Sequence, residues 1–251
     1  MALKTLKYSN EQGYKIFVVD GGSDPGWINE AKNTGAIIIE EKLDDIPGTH
    51  FMGKSRRQAF QVVANDQRPI KSWIEPEKYN MFTKENRTDQ HHSPMAISAN
   101  VIAEGNMIAI PRRKDELASY PTQQKYEELA GNLTVRDMMY HHMRKQYDND
   151  EADRRAPYLD LWVGPRFTNE EGMKYFIAYD GKVKGDAHDR WESIFVPVWQ
   201  AMLEGKKVVG VEVDYVHPAE QTSFESAHPE YSIKRVDQLT CITSALGKLL
   251  S

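Results

Sequence analysis

The sequence is nearly without cysteine, has no surplus of basic charge and contains no long apolar run. Cys241 is the one cysteine, so an internal disulfide framework is excluded and a reducing compartment is expected. Acidic side chains outnumber basic ones, 37 to 32, for a formal net charge of −5. General binding to DNA, RNA or an anionic membrane draws on an excess of Lys and Arg, so no nucleic-acid partner is expected. No apolar stretch approaches the roughly 20 residues that span a bilayer, and no apolar signal-peptide core is found, so the expectation is a cytoplasmic protein without a membrane span. Internal repeats, low-complexity tracts and linkers are missing as well. What is present is 251 residues, 40% of them apolar, enough for one sizeable core in a single α/β domain.

The order of elements is clearest at the start. Ala2 to Gln12 reads as a helix stopped by Gly13, and Ile16–Val19 as a short buried strand. Pro25 opens a helix that runs to about Asn33 and stops at Gly35, and Ala36–Ile39 is a second buried strand. Lys54–Ala64 is a helix with Phe60, Val63 and Ala64 on one face, and Ile70–Ile74 is a third strand. Strand–helix–strand–helix–strand predicts a mostly parallel sheet with helices on both faces. Farther on, residues 84–93, with His91 and His92, read as a polar loop, followed by a helix over Met95–Glu104 and a strand over Met107–Pro111. Gln123–Arg144 is helical with a break near Gly131 and Asn132, and Asp148–Arg155 is a solvated turn. Trp191–Leu203 reads as one amphipathic helix capped by Gly205, Val208–Tyr215 as a strand and Ile233–Leu250 as a last helix.

Three places along this order could carry chemistry. Asp20 ends the first strand and is followed by Gly21, Gly22 and Ser23. Ligands of α/β sheets bind at such strand ends, where glycines let the backbone approach; Ser23 or Asp24 capping the next helix explains the turn equally well. Gly53-Lys-Ser-Arg-Arg57 lacks the first half of a Walker loop. Its cations Lys54, Arg56 and Arg57 repel one another and oppose the helix dipole, and a bound diphosphate would relieve both penalties. Glu75 and Glu77 flank Pro76 directly after the third strand, where two carboxylates can offer oxygens to a hard divalent cation. An exposed turn is the plainer alternative.

Taken together, Val18-Val-Asp-Gly-Gly-Ser-Asp24, Gly53-Lys-Ser-Arg-Arg57 and Trp73-Ile-Glu-Pro-Glu77 resemble the nucleotide-sugar half of GT-A-fold glycosyltransferases. The resemblance implies one GT-A-like domain over residues 1–251, with a nucleotide-sugar half to about residue 111 and an acceptor half beyond it. It implies that Asp20, Gly21, Gly22 and Ser23 meet the nucleoside, and that Lys54, Arg56 and Arg57 meet the base or diphosphate. Glu75 and Glu77 stand where that family carries a metal-binding Asp-x-Asp pair. The second half looks most like the glucosyl-3-phosphoglycerate synthase type, in which a late histidine completes the metal shell, here His217. Asp189 and Glu192 would serve as base or transition-state stabiliser, or are acids placed for helix capping. Arg166, and less specifically Arg112, Arg113 and Lys114, would hold an acidic acceptor, while His188, His91 and His92 read as surface residues. The implied partners are a UDP- or GDP-sugar donor, an acceptor of unknown identity and Mn²⁺ or Mg²⁺, with a homo-oligomer left open. Members of this fold usually begin with an apolar strand. Here that strand is lacking, or Leu3–Tyr8 is a divergent version of it. Two rivals stand beside the transferase: a sugar-phosphate nucleotidyltransferase, and a non-catalytic binding or assembly subunit.

Overall fold

The computed structural model describes residues 1–42, 52–83, 93–114, 117–228 and 230–251. Residues 84–92, including His91 and His92, lie outside it. Helix α1 (Ala2–Glu11) stops at Gly13, whose φ of 81° lies in the left-handed region that glycine adopts without strain. Strand β1 (Phe17–Asp20) then leads to α2 (Pro25–Asn33), β2 (Ile37–Glu40), α3 (Met52–Ala64) and β3 (Lys71–Trp73). The Asp24 carboxylate caps α2 by accepting from Gly26 N at 2.8 Å and Trp27 N at 3.4 Å, and Pro25 supplies a preset φ at the first position. β1 and β2 pair in parallel, Phe17 opposite Ile37 through Asp20 opposite Glu40. Neither is the deeply buried strand expected of an apolar run. Ile37 is 42% exposed, because this two-stranded sheet lacks full cover on both faces.

The largest departure from expectation concerns β3. It does not join β1 and β2 in one parallel sheet but edges a mixed four-stranded sheet of order β3-β5-β4-β8. β5 (Arg166–Thr168) runs antiparallel to both β3 and β4 (Ile108–Arg113), and β4 is parallel to β8 (Val208–Val213). Three residues are too few for a periodicity to register, so β5 leaves no strand signal in the sequence. Because β5 opposes both neighbours, β3, β4 and β8 point the same way. β1 shares that direction. Lys15, just before β1, meets Asp66, just before β3, at 2.6 Å, while Arg56 near the start of α3 lies 5.0 Å over the Trp73 ring at the end of β3. The carboxyl ends of β1, β3, β4 and β8 therefore share one edge. A small antiparallel hairpin, β6 (Lys182–Val183) with β7 (Asp186–Ala187), stands apart.

Ile108 and Ile110 of β4 pack into one cluster and Ala109 into another, so this strand is buried on both faces. The larger cluster centres on Trp199 and on Phe60 stacked against Phe176 at 4.4 Å. Trp191–Leu203 is not one amphipathic helix. A 3₁₀ turn (Trp191–Ile194) precedes α8 (Val196–Leu203), whose first turn holds Pro197 and whose surface is buried nearly all round. The charged stretch after Asp148 is also helical rather than a turn, as α6 (Asn149–Arg155), capped by Asp148 accepting from Glu151 N at 2.9 Å. α4 (Pro94–Ala103) lies before β4 and α7 (Glu170–Ala178) after β5. Near the end come α9 (Ala219–Ser226) and α10 (Glu230–Leu250). Among the described residues no helix is long and apolar enough to cross a membrane.

α5 (Thr122–Met143) runs unbroken through Gly131 and Asn132, where a break was expected. Both residues serve packing rather than a turn. A Cβ on Gly131 would come within 2.7 Å of the Trp162 ring, and Asn132 accepts from Leu161 N at 2.9 Å while reaching Asp160 at 3.4 Å. Asn132→Ala should leave the Leu161 amide unsatisfied in the interior and cost about 1–3 kcal/mol, read by urea denaturation. A cost below about 0.5 kcal/mol would show that this bond contributes little.

Candidate functional site

The shared carboxyl edge gathers most of the residues singled out in the sequence. Asp20, at the end of β1, accepts from Gly22 N at 3.2 Å and Ser23 N at 3.1 Å, building its own turn. Burial pushes this carboxyl upward, but the hydrogen bonds from Ser23 and Gly22 prevail and hold it below its ordinary value. The Gly21-Gly22-Ser23 backbone thus wraps a carboxylate that stays ionised.

The start of α3 explains how three clustered cations are tolerated. Arg57 forms a two-pronged ion pair with Asp189, one arm at 2.9 Å. Arg56 donates to Arg190 O at 3.1 Å and Ser193 Oγ at 3.0 Å. The relief assigned in the sequence to a diphosphate therefore comes in part from a segment more than 130 residues away. Gly53 makes the approach possible. A Cβ there would sit 1.9 Å from Asp189 Oδ1, and Gly53 N donates to Asp189 O at 3.1 Å. Burial lowers the Arg56 guanidinium to about 10, with Glu75, Glu192 and Asp189 opposing the fall. Lys54 is half-buried on the first turn of the same helix.

Glu192, beside Asp189, is buried 3.5 Å from the ring of His188. His188 is therefore an interior residue, its backbone held by its N–H donating to Gly181 O at 2.7 Å and by the Tyr179 hydroxyl donating to its carbonyl. Glu192 Oε2 has no hydrogen-bond partner, whereas both oxygens of Asp189 are taken by Arg57. Arg166 in β5 is fully buried and donates to the carbonyls of Gly164 (2.8 Å), Pro165 (2.9 Å) and Leu161 (3.3 Å). Burial lowers it to about 9. It ties chain segments together behind the site, and its full burial keeps it from an exposed acceptor.

Glu75 follows β3 and packs its carboxyl onto Gly164. At φ 81°, a Cβ on Gly164 would lie 2.0 Å from Glu75 Oε2, and that oxygen has no hydrogen-bond partner. Burial pushes Glu75 above its ordinary value; Lys78 and Arg56 pull the other way, and Glu77 adds to the rise. The folded state thus holds this proton more tightly than the unfolded chain does, so stability falls as pH rises above the ordinary value of 4.5. Glu75→Gln should remove that fall. We expect the variant to be more stable at pH 7 by about 0.5–2 kcal/mol, with the difference vanishing below the ordinary carboxyl range, as measured by thermal melts across pH.

A second group of charges lies on this edge, of which the sequence reading singled out only Arg113 and His217 and missed their partners. Arg113 at the end of β4 donates to Asp160 through Nε at 2.6 Å and Nη2 at 2.7 Å, and to Glu128 at 2.8 Å. Arg235 of α10 stands 3.1 Å from the other Glu128 oxygen. Tyr120 lies under the Arg113 guanidinium at 4.5 Å and stacks on His217 at 4.0 Å. His217 Nε2 is 3.3 Å from Glu225 of α9, and His217 N donates to Ser119 Oγ at 2.9 Å. Lys78, next to Glu77, is held above its ordinary value: burial opposes, but Tyr215, Glu75 and Glu77 outweigh it. An acid inside the apolar run Tyr158-Leu-Asp-Leu-Trp162 was the available sign of this cluster.

Among the described residues no three His, Cys, Asp or Glu side chains are disposed to hold a metal ion. Glu75, Glu77 and His217 are not drawn into one shell, since His217 pairs with Glu225. Glu75 and Glu77 still suit an ion of the Mg²⁺ kind, which takes one or two carboxylates and completes its shell with water and phosphate oxygens. The unpartnered Glu75 oxygen is the donor most in need of a ligand. No protein-family model matches this chain, and no curated protein or solved structure is significantly similar to it.

Proposed function

We propose that the chain is a nucleotide-sugar-dependent glycosyltransferase of GT-A-like layout, moving a sugar from a nucleoside diphosphate to an acceptor. The observation that supports this reading most is the convergence of Asp20, Arg57, Glu75 and Glu192 on the carboxyl edge of strands running in one direction, where open α/β folds bind their ligands. The turn at Asp20, Gly21, Gly22 and Ser23 takes the nucleoside. Lys54 and Arg57 lie at the start of a helix that can face the diphosphate. Glu77 and Glu75 would hold a divalent cation, which supplies charge neutralisation of the departing diphosphate when bound. Lys78 adds a fixed positive charge beside them. Glu192 is the better base of the two acids, because its Oε2 is unengaged and Asp189 is committed to Arg57.

That same commitment of Asp189 favours one alternative, a binding or assembly subunit that keeps the pocket without turnover. A panel of UDP-, GDP- and ADP-sugars with Mn²⁺ separates the two. Hydrolysis or transfer supports the enzyme, and a nucleotide-induced thermal shift without turnover supports the binding subunit. Neither shift nor turnover would overturn both.

A further inference from the structure

β1 and β3 are each paired on one side only among the described residues, β1 to β2 and β3 to β5. Their other edges line the same cavity of about 470 Å³. Phe17, Val18 and Val19 of β1 line it, and so do Ser72 and Trp73 of β3 with Ile74 after them. α3 closes one part of the wall with Ala59, Phe60 and Val63, and Leu6, Phe82 and Met95 close another. Phe60, Leu6, Met95 and Phe82 are all buried apolar residues. Since Ile16 O and Asp20 O bond toward β2, the alternate residues Phe17 and Val19 turn their N–H and C=O groups the other way, into the cavity.

We propose that this slot receives one extended apolar peptide segment of about five residues, added as a strand between β1 and β3 and joining the two sheets into one. The complementarity is one of partial charge. Each edge offers alternating donors and acceptors, which a peptide backbone satisfies on both its sides at once. Both faces of the slot are apolar, so the segment is apolar at successive positions rather than alternating. The slot's ends differ from its middle: Lys15, Asp66 and Arg68 mark the amino end of β1 and β3, and Arg56 and Glu75 mark the carboxyl end. The segment is therefore polar at its termini. Parallel entry is favoured because β1 and β3 already share a direction, and such a strand would finish beside Asp20, Arg56 and Glu75. This inference stands apart from the transferase reading, as it concerns main-chain pairing and not turnover.

The test fuses the segment Lys-Val-Ile-Val-Ile-Val-Asn and a Gly-Ser-Gly linker ahead of Met1 of the full chain, and reads amide hydrogen exchange. Phe17, Val19 and the β3 amides should slow by about 100-fold or more relative to the unfused chain, with a raised melting temperature. A matched fusion with proline in place of both isoleucines, which removes two donors, should restore fast exchange. Unchanged exchange in the first fusion would overturn the proposal, as would equal protection by the proline fusion. Saturable binding of octanoate to the unfused chain, with no protection by the fused strand, would also overturn it, assigning the slot to a small apolar molecule.

Discussion

Replacing Asp160 with alanine should cost about 3–5 kcal/mol of folding stability, because it leaves a buried guanidinium without its main counter-charge. The side chains of Arg113 and Asp160 are 1% and 3% exposed, and Arg113 Nη1 already has no hydrogen-bond partner. Glu128 alone would then have to answer for Arg113 while Arg235 also draws on it. Replacing the pair together, with Arg113→Met and Asp160→Leu, should cost less than the single change, since both desolvation penalties disappear along with the attraction. Urea denaturation at neutral pH measures the difference. The pH dependence carries a second signature. Burial pushes Asp160 upward, but the Arg113 charge and hydrogen bonds prevail and hold it below its ordinary value of 3.8. A depressed carboxylate contributes stability that is fully present above that value and lost as pH falls through the folded one. The wild-type protein should therefore lose stability below pH 3.8 in a way that Asp160→Ala does not. Parallel acid profiles for the two would show that the network is not coupled as its geometry implies.

Glu77→Ala should abolish Mn²⁺-dependent nucleotide binding and lower transfer by about 10²–10³-fold, the scale seen when a preorganised charge-stabilising group is removed. Glu77 is only partly buried at the turn after β3, so the melting temperature should move little. Calorimetric titration of the nucleotide with and without Mn²⁺ reads the first effect, and a thermal melt reads the second. Glu75→Gln offers a contrast on the neighbouring carboxyl, gaining stability while losing metal-dependent affinity, as expected of a group kept at a folding cost for binding. His217→Ala discriminates further. Unchanged Mn²⁺ dependence would leave His217 as a partner of Glu225 and Tyr120 alone. If Glu77→Ala also binds Mn²⁺ and nucleotide normally, the carboxylate pair has no part in the site.

The described residues up to 83 were the most legible. Asp24 before Pro25, the glycines at 13 and 35 and the apolar runs at 16–19 and 70–74 mark ends and cores by local chemistry, and β1, α2, α3 and β3 form within a few residues of those marks. Local signals could not tell which strands pair. β3 looks like the third member of a parallel series, yet its partner is β5, three residues that carry no period. Gly131 looked like a helix break because glycine weakens helices in general. Its actual constraint is the Trp162 ring, which only packing reveals.

By itself the sequence determined the run of elements from α1 to β3, the turn at Asp20, the cation cluster at the start of α3 and the acid pair after β3. Each of these depends on residues within a few positions of one another. Only the tertiary structure decided what those groups face. Arg57 meets Asp189, Glu75 meets Gly164, and Arg113 meets both Glu128 and Asp160. The physical reason is that desolvation makes a buried charge accept a partner from wherever the fold brings one, and sequence distance does not enter that energy. The same logic left two sheet edges facing one slot, a feature that no local pattern in the chain records.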